Sequence, residues 1–142
     1  MIASAQWKQG MQFEGHTESG HAILFDAEAA HRAGPSPMEA VLAALCGCTS
    51  VDVVAILQKK REHFTGLTVQ ATAEQAENAP RVFTRICLIY RVGGKVSRKA
   101  MEDAVMLSKT KYCSVSKMLD KTAEIEFEIE YEDDQSEGAS QA

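Results

Sequence analysis

The period of apolar and polar positions changes several times along the chain, and each change marks an element. Residues 5–13 (AQWKQGMQF) predict a strand with Trp7, Met11 and Phe13 on one face. HTESG (16–20) predicts a turn and HAILFDA (21–27) a second strand, so residues 4–26 are expected to form a hairpin. A loop then leads into the stretch from Pro35 to His63, around which the rest is organised. Val41, Leu42, Ala44, Leu45, Val51, Val53, Val54, Ile56 and Leu57 surround it on almost every side, and Gly47 is its only internal breaker. Ser36 suits an N-cap and Pro37 a first helical residue, because proline has no N–H to leave unpaired there. Glu39 in the first turn faces the positive end of the helix dipole. A helix apolar nearly all round is expected to be buried. At the α-helical rise it would span about 40 Å, long for a small domain, which suggests a second chain packed against it.

Beyond the helix the period returns to two. Leu67, Val69, Ala71 and Ala73 alternate, Asn78–Pro80 make a turn, and Val82, Ile86, Leu88, Tyr90 and Val92 alternate again. Cys87 falls on the opposite side with Arg85 and Arg91, as a half-buried small apolar residue. Ser97 predicts the cap of a second helix carrying Ala100, Ala104, Val105 and Leu107, which fades at Lys109–Lys111. Cys113 or Ser114 then starts a short third helix. In AEIEFEIEYED, Ile125, Phe127, Ile129 and Tyr131 face inward and glutamates outward, the pattern of an antiparallel strand with one wet face. The expected order is β-β-α-β-β-α-α-β, an α+β arrangement in one domain of residues 1–132, with 133–142 a disordered acidic tail.

Charge alters this picture little. The net charge is −5, but eight acids and no Lys or Arg lie from Glu124 onward, so residues 1–123 carry +3. No basic block points to nucleic acid. The first ten residues lack the plan of a signal peptide, and polar residues within the long helix argue against a membrane span. A cytoplasmic protein is expected, so its four cysteines are read as reactive or buried thiols rather than disulfides. His16, His21, His31 and His63 lack ligand spacing, and neither metal nor cofactor is implied.

Cys46 and Cys48, two apart on a helix, point to different sides, so one faces the active surface and the other packs. Asp52 lies one turn beyond Cys48 on the same face. Small residues from Ala43 to Ser50 let another element approach closely. A helix start favours a thiolate at Cys113, and Lys109 and Lys111 are expected to favour it too.

Four segments carry a resemblance: SGHAILFD, SPMEAVLAALCGCTSVDVVAILQK, APRVFT and KYCSVSKMLDK. Cys48 stands twelve residues after Ser36, and Cys113 sixty-five after Cys48. This ordered set resembles the OsmC/Ohr family, and within it the YhfA-like branch, over nearly the whole chain except the tail. The resemblance implies an OsmC-like intertwined homodimer, with antiparallel-rich sheets packed around long central helices and active sites at the subunit interface. Characterised members are thiol peroxidases that reduce organic hydroperoxides. Cys48 matches the peroxidatic position and Cys113 the resolving one, with a lipoyl-type or thioredoxin-type dithiol as reductant.

The chain departs from the family in one place. In the peroxidases a glutamate ten residues before the peroxidatic cysteine supports an arginine from the first strand region. Here that position is Met38, and no arginine precedes Arg32. Glu39 and Arg32 are the possible supporting residues, with the partner chain's Glu39 better placed than the same chain's. The alternatives to a peroxidase are a dimer that binds or senses a small apolar or oxidised molecule at its interface, and a structural dimer without a site.

Overall fold

The computed structural model describes residues 1–132; the expected tail, 133–142, lies outside the described residues. The chain divides into two compact units, Met1–Ala43 and the remainder from Ala44.

The first unit holds β1 (Ala3–Gln9), β2 (Gln12–Thr17) and β3 (Ala22–Asp26) in an antiparallel sheet of that order. The expected first strand is therefore two. Gly10, at φ 50°, turns the chain, and Trp7 Nε1 donates to its carbonyl at 2.8 Å. Trp7 pairs with Phe13 across the hairpin. The two apolar residues share a face either way, which is why period two did not reveal the turn. The β2–β3 turn falls where expected. Beyond β3 the Asp26 carboxylate accepts from the Glu28 and Ala33 N–H groups at 2.9 and 3.1 Å, which lowers its pKa and ties the loop into a compact bend.

The helix α1 (Pro37–Lys59) starts as predicted and ends four residues earlier than its expected limit at His63. Ser36 N donates to Glu39 Oε1 at 2.9 Å and Glu39 N to Ser36 Oγ at 3.1 Å, a reciprocal capping box.

The second unit places β4 (His63–Gln75), β5 (Phe83–Lys95) and β6 (Glu124–Tyr131) in one sheet. β4 and β5 are antiparallel, with a bulge at Phe64/Gly66 opposite Gly94, whose φ is 95°. β6 pairs with β5 in parallel, correcting the antiparallel expectation. Alternation reports that one face is wet, not which way the neighbour runs. Between the two strands come α2 (Arg98–Leu107), a π-helical turn (Ser108–Tyr112) and α3 (Ser114–Leu119), the long crossover a parallel pair requires. On the wet face Arg85 pairs with Glu126 at 3.0 Å and Arg91 with Glu130 at 2.9 Å, which accounts for those glutamates. Cys87 is half-buried, as expected.

The core of this unit is built from Phe83, Ile86, Leu88, Tyr90 and Val92 of β5, Ala100, Met101, Ala104 and Val105 of α2, and one stripe of α1. That stripe is Leu45, Thr49, Val53 and Leu57, each four residues from the next. The helix is thus not buried all round. A single sheet with its crossover covers one face, and Val51 stays 69% exposed. By length and mean hydropathy, 2.2, α1 would suffice to cross a membrane. Its polar residues point elsewhere: Thr49 and Asp52 are bonded into the second unit.

Candidate functional site

Cys48 is half-buried in the middle of α1. The π-helical turn carries the chain to Cys113, whose N–H donates to the Ser108 carbonyl at 2.8 Å. Cys113 is the N-cap of α3, as the sequence predicts, and its Sγ accepts from Ser116 N at 3.4 Å. The Ser116 hydroxyl donates to the Cys113 carbonyl at 3.0 Å, closing the cap. The fold brings the two thiols, 65 residues apart in sequence, into direct interaction.

The electrostatics of Cys113 differ from expectation. Burial pushes its thiol up, the Cys48 thiol pushes the same way, and the Ser116 donors oppose them only in part. The lysines expected to favour a thiolate are directed elsewhere. Lys109 Nζ sits 5.5 Å above the Phe127 ring and Lys111 Nζ 5.2 Å above Tyr112. Cys46 faces another way, against the Ala71 backbone of β4, and burial raises its pKa as well. The division of labour expected for two thiols two residues apart is present.

A chain of buried hydroxyls runs alongside the thiols. Thr49 Oγ1 lies 2.7 Å from Tyr90 OH and 2.8 Å from Ser108 Oγ, and Ser108 Oγ donates to Asp52 Oδ2 at 2.9 Å. The carboxylate can only accept, and this sets every proton in the chain. Ser108 spends its hydrogen on Asp52, so Thr49 donates to Ser108 and Tyr90 donates to Thr49. Burial, reinforced by Cys113, Cys46 and Asp52, pushes the Tyr90 pKa up to about 12, which keeps the phenol a donor. Sequence reasoning passed over this chain. The one signal was Thr49, a polar residue at a stripe position otherwise held by Leu45, Val53 and Leu57.

Asp52 also lines a cleft of about 450 Å³ with Ile56, Lys59, Lys60, Leu107 and Tyr112. The two possible supporting residues belong to the first unit. Glu39 is engaged in the capping box, with His31 Nε2 at 3.9 Å from the same oxygen. Arg32 is exposed. Among the described residues no three His, Cys, Asp or Glu side chains are grouped to hold a metal ion.

A two-cysteine site on a long helix and a short-helix cap, in this α+β topology, defines a class: the chain belongs to the OsmC-like protein family, whose family model matches residues 29–130. It is 46% identical over 126 residues to Protein YhfA of Escherichia coli (strain K12), covering 88% of this chain and 93% of that one. A solved hypothetical protein from Aquifex aeolicus VF5 is similar at 30% identity and a TM-score of 0.80, over 92% of this chain and 96% of the other. The organic hydroperoxide resistance protein OhrB of Bacillus subtilis shares the fold at 17% identity, with a TM-score of 0.62, over 92% of this chain and 98% of its own.

Proposed function

We propose that this protein is a cysteine-based redox protein that reduces organic hydroperoxides. The observation that carries the reading is the meeting of Cys48 and Cys113 in the folded chain. The Cys48 thiolate attacks the terminal oxygen of ROOH. The O–O bond breaks, the alkoxide takes a proton and leaves as ROH, and Cys48 becomes a sulfenic acid. The Cys113 thiol then displaces hydroxide from that sulfur, giving a Cys48–Cys113 disulfide and water. A lipoyl-type or thioredoxin-type dithiol restores both thiols by exchange, becoming a disulfide itself. The raised pKa of Cys113 suits the resolving role, because a protonated thiol does not compete for the peroxide.

The working form in this proposal is a homodimer. Val51 of α1 is 69% exposed, and in the first unit Trp7, Ile23 and Leu24 are 64%, 44% and 50% exposed. Apolar surface of this kind is normally covered by a partner. Neither Met38 nor Glu39 supplies the supporting glutamate of the peroxidases, since Glu39 holds the helix cap.

The test is the reaction of the reduced protein with cumene hydroperoxide, followed by thiol counting and peptide mapping. One equivalent should remove two thiols within seconds and link Cys48 to Cys113. Cys48→Ser should abolish the reaction, and Cys113→Ser should leave a sulfenic acid on Cys48 that dimedone traps. Survival of both thiols, or oxidation only as slow as that of a free cysteine, overturns the proposal.

A further inference from the structure

Two segments carry the redox pair, and apolar packing alone does not fix their register. Leu45, Val53 and Leu57 are smooth contacts along which a helix can slide or roll at little energetic penalty. Hydrogen bonds between buried hydroxyls are directional and have no such freedom. The structure places such bonds next to both sulfurs. Thr49 follows Cys48 directly on α1 and reaches Ser108 at 2.8 Å. Asp52, about one helical turn further along, receives the Ser108 hydroxyl at 2.9 Å. The carbonyl of the same Ser108 accepts the Cys113 N–H at 2.8 Å. One residue is therefore held by α1 at two points and itself holds the backbone of the second thiol. Two points of attachment fix rotation as well as separation.

We infer that Thr49 and Ser108 are positioning residues that set the spacing between Cys48 and Cys113, with Asp52 and Tyr90 holding their hydroxyl protons in the required direction. This rests on the redox reading above and says which residues make the pair effective. Neither hydroxyl touches a peroxide in this scheme. They act through the sulfurs they align. The arrangement also explains polar atoms in a core that hydrophobic residues would fill as well: among the described residues no buried polar side-chain atom lacks a partner.

The experiment measures the equilibrium in which oxidised glutathione takes two electrons from the protein dithiol, giving the protein disulfide and two reduced glutathiones. Wild type, Thr49→Val, Thr49→Ser and Ser108→Ala are compared at one protein concentration, with peptide mapping to identify the disulfide. Thermal midpoints of the reduced proteins are recorded in parallel. Loss of a directional tie worth one net hydrogen bond should lower the equilibrium constant about tenfold in Thr49→Val, or about 30 mV for this two-electron couple. Ser108→Ala, which loses both ties to α1, should fall further. Thr49→Ser keeps the hydroxyl and should stay within about twofold of wild type. If Thr49→Val and Ser108→Ala lower only the thermal midpoint and leave the equilibrium within about twofold of wild type, the hydroxyls are structural alone and the inference is wrong. If Ser108→Ala does not fold, the two Thr49 variants decide. If wild type itself forms no Cys48–Cys113 disulfide, the redox reading fails and takes this inference with it.

Discussion

The direction of the hydroxyl chain can be tested without any chemistry at the thiols. Tyr90→Phe removes one donor and almost no volume. Thr49 then still donates to Ser108, so the chain loses a single hydrogen bond, about 1 kcal/mol net. Thr49→Val is also close to isosteric but acts differently. It removes two bonds and leaves the Tyr90 hydroxyl, on a side chain only 1% exposed, without an acceptor. An orphaned buried donor adds about 1–3 kcal/mol, so the total is about 2–4 kcal/mol. In the double variant no phenol is orphaned, and the loss returns to about 1–2 kcal/mol. The two changes are therefore strongly non-additive, by about 2 kcal/mol, as expected for residues in one network. Urea unfolding of all four proteins at a single concentration measures this, since dimerisation makes midpoints depend on concentration. Equal losses for the two single variants, or additivity in the double, would refute the assigned direction.

Other expectations follow from single features. Ser36→Ala should destabilise the protein by about 1 kcal/mol through loss of the cap. Glu39→Gln keeps an acceptor and should leave both stability and peroxide consumption near wild type; a large drop in turnover would return Glu39 to the chemistry. In a Cys48→Ser background, alkylation of Cys113 by iodoacetamide should rise only above the ordinary thiol range, because burial is the main cause of its raised pKa; a midpoint at or below that of free cysteine contradicts this. Glu62 accepts from Ser97 N at 2.8 Å, and this bond holds its pKa below the ordinary 4.5. Its contribution to stability is present above that value and is lost as pH falls through the lower folded one. Glu62→Gln should therefore reduce the loss of stability seen in urea titrations below about pH 4.5. Gly94→Ala places a methyl group against the His63 carbonyl at a φ of 95° and should destabilise by more than about 1 kcal/mol, read by the same titrations.

The parts of the fold that were legible in the sequence are those decided locally. Ser36, Pro37 and Glu39 start α1 by chemistry contained within four residues. Ser97 and Cys113 cap their helices for the same reason. Alternation placed β4, β5 and β6 and the faces they bury. What failed had a non-local cause. The turn at Gly10 was hidden because Trp7 and Phe13 keep one face across a hairpin as they would along a strand. The direction of β6 depends on the crossover before it, not on its own pattern. The sheet and crossover cover one stripe of α1, a count no helical wheel contains. Lys109 and Lys111 flank Cys113 in sequence, yet their ammonium groups lie over aromatic rings. The cysteine pair became readable through family resemblance. The hydroxyl chain was not readable at all, because its bonds join residues 41, 56 and 59 positions apart.

The π-helical turn has a consequence for how this protein tolerates change in length. In an α-helix the Cys113 N–H would bond to the carbonyl of Lys109; here it reaches back one residue more, to Ser108. One additional residue is wound into the turn, and it sets the angular phase of everything that follows. Substitutions at the exposed Thr110 or Lys111 leave that phase alone. Deleting either residue would restore an ordinary helical pitch and rotate the remainder by about 100°. Cys113 would lose its place as the N-cap of α3 with every chemically important side chain still present. Insertions and deletions within this turn are therefore a more severe class of mutation than any surface substitution there, and the spacing between Ser108 and Cys113 belongs to the site as much as the sulfurs do.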